Sequence, residues 1–473
     1  MTLTILFILI AIAIIIRIFP YKLLRKWFLL VASIVLIYWL QPALPVRYLD
    51  FYLPTLLIGI IIISWYLLVP REDRFCKENL ISLGVIAGIA LLINLTRFIN
   101  LTGVITPSRP PGLLFITLVV CILAILFFIL VKKDWKNNAL WIISFIVLMV
   151  ITLILKNPDL KLLVSKGIRS LQGQNPEFAT RIDVQWLGFS YVVFRLIHTI
   201  KDFQNKRLKE VSLLSYVNYI LFFPTFTAGP IDRLQHFDKE LQIEENISAE
   251  EFARNILRLI LGIFKKFAVA DTLAIIAFNL SVLKQVNSTG FVWLSLYAYA
   301  FLILFDFSGY TDIAIGLGGI LGIRLPENFN TPYLKPNLKL FWDNWHMTLT
   351  QWFRSYYFNP ISRKIRRKFR KIPVVWMVLF MQVSTMLLIG LWHGVTWNFV
   401  IWGLWHGLGM FVFNRWNEWF SPKKAKLQPV LVTRLIPIIG VALTFHYVAL
   451  GWVWFALPSV GDSIEVFSRL FGG

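Results

Sequence analysis

The stretch Gly390-Leu391-Trp392-His393-Gly394-Val395-Thr396-Trp397-Asn398 joins two apolar runs, about 374 to 391 before it and about 397 to 414 after it. Each run is close to the length of roughly 20 residues that an α-helix needs to cross a hydrocarbon core of about 30 Å. A pair of membrane-crossing helices is therefore predicted, with the imidazole of His393 at membrane depth. A titratable ring is costly to desolvate there, so the position points to a functional site more than to packing.

The same apolar signal repeats in both directions. Of 473 residues, 58% are hydrophobic and 15% charged, with 19 Trp and 40 Phe. That is more apolar surface than a soluble globule can hide. Candidate spans run at about 2 to 19, 26 to 41, 51 to 69, 80 to 97, 112 to 131 and 138 to 155. A second group follows at about 185 to 200, 211 to 228, 256 to 280, 290 to 321, 374 to 391, 397 to 414 and 435 to 456. The fold class expected is all-α: a polytopic integral membrane protein of about 11 to 13 transmembrane helices. Short re-entrant or interfacial helices would surround a central cavity. Such broken elements suit 322 to 373, which has no long span but mixes Trp, Phe and Tyr with Lys, Asn and Pro.

The net charge of +22, from 47 basic and 25 acidic residues, falls mainly between spans. This is the positive-inside pattern of a bilayer protein, and it removes nucleic acid as a partner. An external N-terminus makes three basic loops cytoplasmic: Arg17, Lys22, Arg25 and Lys26; Lys132, Lys133 and Lys136; and Lys201, Lys206, Arg207 and Lys209. The run Arg363-Lys364-Ile365-Arg366-Arg367-Lys368-Phe369-Arg370-Lys371 then marks the cytoplasmic start of the span that ends near His393, against anionic lipid heads. The first apolar stretch has no basic residues before it and no small-residue cleavage site, so it reads as a retained span. Cys76 and Cys121 make neither a disulfide framework nor a thiolate metal cluster, and no metal is expected.

Residues 1 to 183 read as a scaffold of hydrophobic hairpins. The polar segment 156 to 183 reads as a loop that separates it from a catalytic region, 184 to 473. After that boundary the spans gain polar residues: Arg195, His198, Asp306, Asp312, His346, His393, His406 and His446. Ser248 with Glu251 three residues on is a capping-box start for a helix. No Walker-type loop, zinc-ligand spacing or GxSxG elbow occurs.

Three blocks stand out: Phe222 to Ile231 (FFPTFTAGPI), Asp306 to Asp312 (DFSGYTD) running on to Glu327 to Tyr333 (ENFNTPY), and Trp345-His346 followed by Trp392-His393-Gly394. In order and in combination they resemble the membrane-bound O-acyltransferase family, in particular the bacterial branch of alginate O-acetylases and teichoic acid D-alanyl transferases. The resemblance covers about 185 to 415, with no counterpart for the apolar region before 180. It implies that His393 is the residue essential for acyl transfer and that His346 is its upstream partner. Their separation of 47 residues is nearer the D-alanyl branch. Where relatives carry Asp after the arginine of the Arg-Asp-Tyr pattern, this chain has Ser355 after Arg354.

The chemistry suits histidine. An alcohol must lose its proton as it attacks a thioester, and an imidazole near neutrality can accept that proton and pass it to the leaving thiolate. His393 is expected to be the general base and His346 to orient the acceptor or relay the proton. Trp345, Trp392, Asn398, Asp312 and Arg354 are the expected substrate contacts, with Asn398 or a Trp N–H among the oxyanion donors. Asp306 and Asp312 are expected to pair with Arg354 or Arg324, while His198, His406 and His446 are expected to be structural.

The implied protein sits in a bacterial plasma membrane. It binds no cofactor tightly and takes an acyl thioester, on coenzyme A or an acyl carrier protein, from the cytoplasmic side through a tunnel. The acyl group, acetyl before others, moves towards hydroxyls of an exported polysaccharide or cell-wall polymer, with a secreted esterase-like protein as a further partner. The competing expectation is a transporter for such a donor or glycan that does no chemistry.

Overall fold

The computed structural model describes residues 2–18, 22–70, 72–99, 105–112, 137–208, 210–243, 247–285, 288–424, 428–429 and 431–473. The expected span at 112 to 131, the cluster Lys132, Lys133 and Lys136, and also Lys209 and Cys121, fall outside them or nearly so. Among the described residues the regular elements are helices and there is no strand, as the apolar periodicity predicts. Among the described residues five helices have the length and apolar composition to cross a membrane: Leu49–Leu68, Lys77–Leu95, Thr289–Ile320, Val374–His393 and Leu431–Ala456. Shorter apolar helices occupy Leu3–Ile18, Ser144–Lys156 and Leu213–Thr225.

The described chain forms two compact units, Met1–Asn255 with Gly316–Leu325, and Ile256–Ile315 with Pro326–Gly473. The boundary expected at 183/184 lies inside the first.

In the first unit the expected span at 211 to 228 is instead an eight-residue helix, Leu213–Ile220, with every residue buried, followed by a 3-10 turn at Phe223–Thr225. Pro224 lacks the amide needed to continue the helix. Ser212 caps its start by accepting from Ser215 N at 3.2 Å. The Tyr216 hydroxyl meets Ser64 Oγ at 2.8 Å, and Trp65 Nε1 donates to Val211 O at 3.0 Å. Ser64, Trp65 and Tyr216 thus find partners, without which their desolvation would count against folding.

The segment 156 to 183 is also a correction, because it is not a loop throughout. Asn157 Oδ1 accepts from Asp159 N and Leu160 N, both at 2.9 Å, and Pro158 takes the first helical position, so a helix runs over Pro158–Leu171. Asp183 closes this helix onto the following turn, accepting from Ser165 Oγ at 2.6 Å, Arg169 Nε at 2.7 Å and Thr180 N at 3.2 Å. Burial alone would raise its carboxyl, but Arg169, Ser165 and Thr180 outweigh that and hold it down at about 2. The capping box at 248 is half formed: Glu251 N donates to Ser248 Oγ at 3.1 Å, while the Glu251 carboxylate goes to Arg324 Nε at 3.0 Å.

In the second unit the helices Val374–His393 and Trp397–Lys424 are joined by three residues. They pack antiparallel and very close. A Cβ on Gly403 would stand 2.8 Å from Leu387 Cα, and one on Gly407 2.8 Å from Val383 Cα. Small residues that let backbones touch are the usual route to tight helix pairs in lipid, where hydrophobicity alone does not drive association. The expected span at 256 to 280 is broken, passing from Ala249–Ile263 into a π-helical turn, Phe264–Ala270, before Asp271–Ala274. Between 322 and 373 there are short helices, Leu338–Asn344, Met347–Phe353 and Asn359–Lys368, the last carrying much of the basic run.

Candidate active site

His393 is the last residue of its helix, and Gly394 N closes the end by donating to Gly390 O at 3.1 Å. A Cβ at Gly394 would lie 2.5 Å from the Phe399 ring, so this glycine admits Phe399 against the turn. Phe399 lies nearly parallel to His393, with centroids 6.0 Å apart, while Phe455 at 4.9 Å and Trp402 at 5.7 Å meet the imidazole at steep angles. Aromatic walls on several sides fix the ring plane, yet His393 keeps some of its surface open.

His346 stands at the head of the helix Met347–Phe353 and is 2% exposed. Its backbone is left-handed, with φ 42° and ψ 55°, a conformation that disfavours any residue with a Cβ and persists only when its surroundings impose it. They do so here: Met347 N donates to Asn328 O at 2.9 Å, and Asn330 N donates to Asn344 O at 3.1 Å. The segment 328–330 therefore runs beside 344–347 and holds the turn. His346 Nδ1 lies 3.0 Å from Asn328 Oδ1, and Phe307 meets the imidazole edge-on at 4.7 Å. Trp392 is the shared neighbour of the two histidines, 4.6 Å from His393 and 6.5 Å from His346 between centroids.

Other expected site residues are placed differently. Trp345 is buried in an aromatic stack with Phe341, Tyr333 and Trp452, at 5.5, 5.7 and 5.2 Å. Asn398 Nδ2 donates to Leu457 O at 2.7 Å, Ser459 O at 3.2 Å and Ser463 Oγ at 3.1 Å, which ties the start of the Trp397–Lys424 helix to the C-terminal segment. Arg354 meets Asp343. Asp312 accepts from Arg258 Nε at 3.0 Å and Lys265 Nζ at 2.6 Å, and Asp306 from Lys266, so the expected pairing with Arg354 or Arg324 gives way to cations of the preceding helical segment. Gly262 and Gly309 permit this, since a Cβ on either would come within 3 Å of the other's backbone carbonyl. Arg258 also clasps Glu327 with both terminal nitrogens at 2.5 Å, so the cluster anchors the residue next to Asn328.

His406 is fully buried among Trp342, Trp402, Tyr447 and Trp452. His198 meets the Tyr219 hydroxyl at 2.7 Å, and His446 meets that of Tyr297 at 3.0 Å. Sequence reasoning passed over His236, whose Nδ1 lies 2.8 Å from Asp232 Oδ2. The hydrogen bond to that carboxylate holds the imidazole above its ordinary value. It also gave no role to Asn328, Arg258, Lys265 or Lys266. The available signal was Asn328 lying inside the block 327 to 333 that was otherwise singled out. Among the described residues no group of three His, Cys, Asp or Glu side chains is arranged to hold a metal ion.

The chain belongs to the membrane-bound O-acyltransferase family, which it matches over residues 113–450. The match extends past the expected 185 to 415 on both sides and takes in the later part, from 113, of the apolar region that was expected to have no counterpart. The protein is accordingly an acyltransferase, and the reading as a transporter without chemistry is set aside. It is similar to the teichoic acid D-alanyltransferase of Bacillus subtilis, 33% identical over 309 residues, which cover 63% of this chain and 75% of that protein. The Streptococcus thermophilus teichoic acid D-alanyltransferase is 28% identical over 365 residues, 71% of this chain and 82% of its own. The peptidoglycan O-acetyltransferase of Helicobacter pylori is 31% identical over 265 residues, 55% of this chain and 47% of its own.

Proposed function

We propose that the protein moves a small acyl group from a cytoplasmic thioester to a hydroxyl destined for an exported cell-wall polymer or polysaccharide, in a bacterial plasma membrane. His393 is the general base and His346 orients the acceptor. In this scheme the imidazole of His393 takes the hydroxyl proton as the oxygen attacks the thioester carbonyl. The C–O bond forms, the C–S bond breaks, and the proton passes to the departing thiolate. The observation that carries this reading is the pairing of a partly open imidazole with a buried, strained one around a single indole, Trp392. Strain kept at a buried histidine is more at home in a reacting site than in a scaffold.

D-alanyl is the acyl group favoured. The sequence covers 75% and 82% of the two D-alanyltransferase relatives but 47% of the peptidoglycan O-acetyltransferase, so the correspondence with the former spans more of their length. Acetyl, the expectation from sequence, is the second reading, supported by the 31% identity to that acetyltransferase. Trp392, with its indole against both imidazoles, is the best-placed of the expected substrate contacts. Trp345, Asn398, Asp312 and Arg354 serve by holding the walls.

The test is to supply purified protein in nanodiscs with D-alanyl and acetyl thioesters, each on coenzyme A and on a phosphopantetheine carrier protein. Donor loss and acyl-oxygen ester formation are then followed with a soluble polyol acceptor and with cell-wall polymer. Consumption of the D-alanyl carrier thioester is expected. Exclusive use of acetyl donors would reverse the choice of acyl group, and no use of any thioester would overturn the reading.

A further inference from the structure

We infer that Asn328 is a positioning residue that fixes the tautomer of His346, leaving Nε2 as a bare acceptor for a substrate O–H or N–H beside the hydroxyl that gives its proton to His393. The inference rests on the role given to His346 above. Asn328 is completely buried, and three groups converge on its side-chain oxygen: His346 Nδ1 at 3.0 Å, Thr348 Oγ1 at 2.9 Å and Thr348 N at 3.2 Å. The main-chain N–H of Thr348 can only donate, so the atom it faces is the carbonyl oxygen of the carboxamide and not the NH2. Nothing pulls the amide the other way, because Asn328 Nδ2 has no partner among the described residues.

With Oδ1 facing the ring, and an amide oxygen having no proton to give, His346 Nδ1 must carry the hydrogen. The lone pair then lies on Nε2. That atom is buried and meets no hydrogen-bonding group among the described residues. Buried polar atoms are almost always satisfied, so an open one in a reacting site calls for an explanation. An O–H or N–H that arrives with substrate, other than the reacting hydroxyl, supplies one. Asn328 also acts through the backbone: its carbonyl accepts from Met347 N at 2.9 Å, which steadies the left-handed turn that aims the ring. One residue thus sets both the orientation and the protonation pattern of the imidazole, and the Arg258–Glu327 clasp anchors the position beside it.

The test combines histidine nitrogen NMR with activity on 15N-histidine-labelled protein in nanodiscs, the His346 signals being assigned by their loss in His346→Gln. The wild type is expected to show a protonated Nδ1 and an unprotonated Nε2. Asn328→Leu should lose that preference and slow acyl transfer about 100- to 10,000-fold, the scale seen when a catalytic imidazole is held in the wrong tautomer or a proton-transfer partner is lost. Asn328→Asp, which keeps an acceptor oxygen in place, should retain the Nδ1–H tautomer and recover most of the rate, which a merely space-filling role for Asn328 would not require. A proton on Nε2 in the wild type, or an unchanged tautomer in Asn328→Leu, overturns the inference whichever variants are active. A changed tautomer with undiminished transfer would leave the assignment of the proton standing and overturn the role of His346 in the reaction.

Discussion

At the scale of single residues, the proposed reaction gives the two histidines different parts. His393 has an open side and aromatic walls, so a proton can enter and leave while the ring plane is held. His346 is sealed and strained, suited to hold a partner in one direction. Asn398 belongs to the frame around them. Asn398→Leu removes an NH2 that reaches three acceptors and strands the buried carbonyl of Leu457. A loss of about 1–3 kcal/mol is expected, seen as a lower melting temperature with transfer preserved below it. Unchanged melting with lost transfer would return Asn398 to the list of substrate contacts. His393 and His346 could be singled out from sequence because both sit in motif blocks. Asn328 was not, since its meaning lies in a hydrogen bond to a residue 18 positions away that only the paired loops bring about.

At the scale of elements, the site depends on how closely two helices approach. Gly403→Val would drive a branched side chain into the backbone at Leu387. Overpacking of this kind costs typically about 1–3 kcal/mol, and here it would also shift the turn that carries His393. Thermal unfolding in detergent should show the loss, and an unaltered melting curve would mean the crossing is looser than described.

The clasp of Asp183 on Arg169 gives a pH signature. Its folded value, about 2, is below the ordinary 3.8, so its contribution is present above 3.8 and disappears as pH falls through about 2. The melting temperatures of wild type and Asp183→Asn should differ near neutrality and converge towards pH 2. A difference independent of pH would contradict the assignment. Long helices were legible here because hydropathy over about 20 residues is a strong signal. The helix Pro158–Leu171 was read as a loop because polar residues on its surface and the Asn157-Pro158 start look like turn punctuation, and the same pair is an N-cap with Pro at N1.

At the scale of the whole molecule, charge orients the chain. Residues 363–371 carry seven basic side chains and no acidic one, and the positive-inside rule predicts that they face the cytoplasm. A cysteine introduced by Arg367→Cys should react with an impermeant maleimide only when the cytoplasmic face is exposed. Labelling from outside intact cells would invert the topology and the side from which the thioester arrives.

Proton transfer by His393 is the step on which the proposed function depends. The most direct measurement is single-turnover acyl transfer from a pre-bound labelled D-alanyl or acetyl thioester, in wild type and in His393→Ala matched for melting temperature and donor binding. A rate about 100- to 10,000-fold lower in the variant is predicted. An equal rate in both would contradict it.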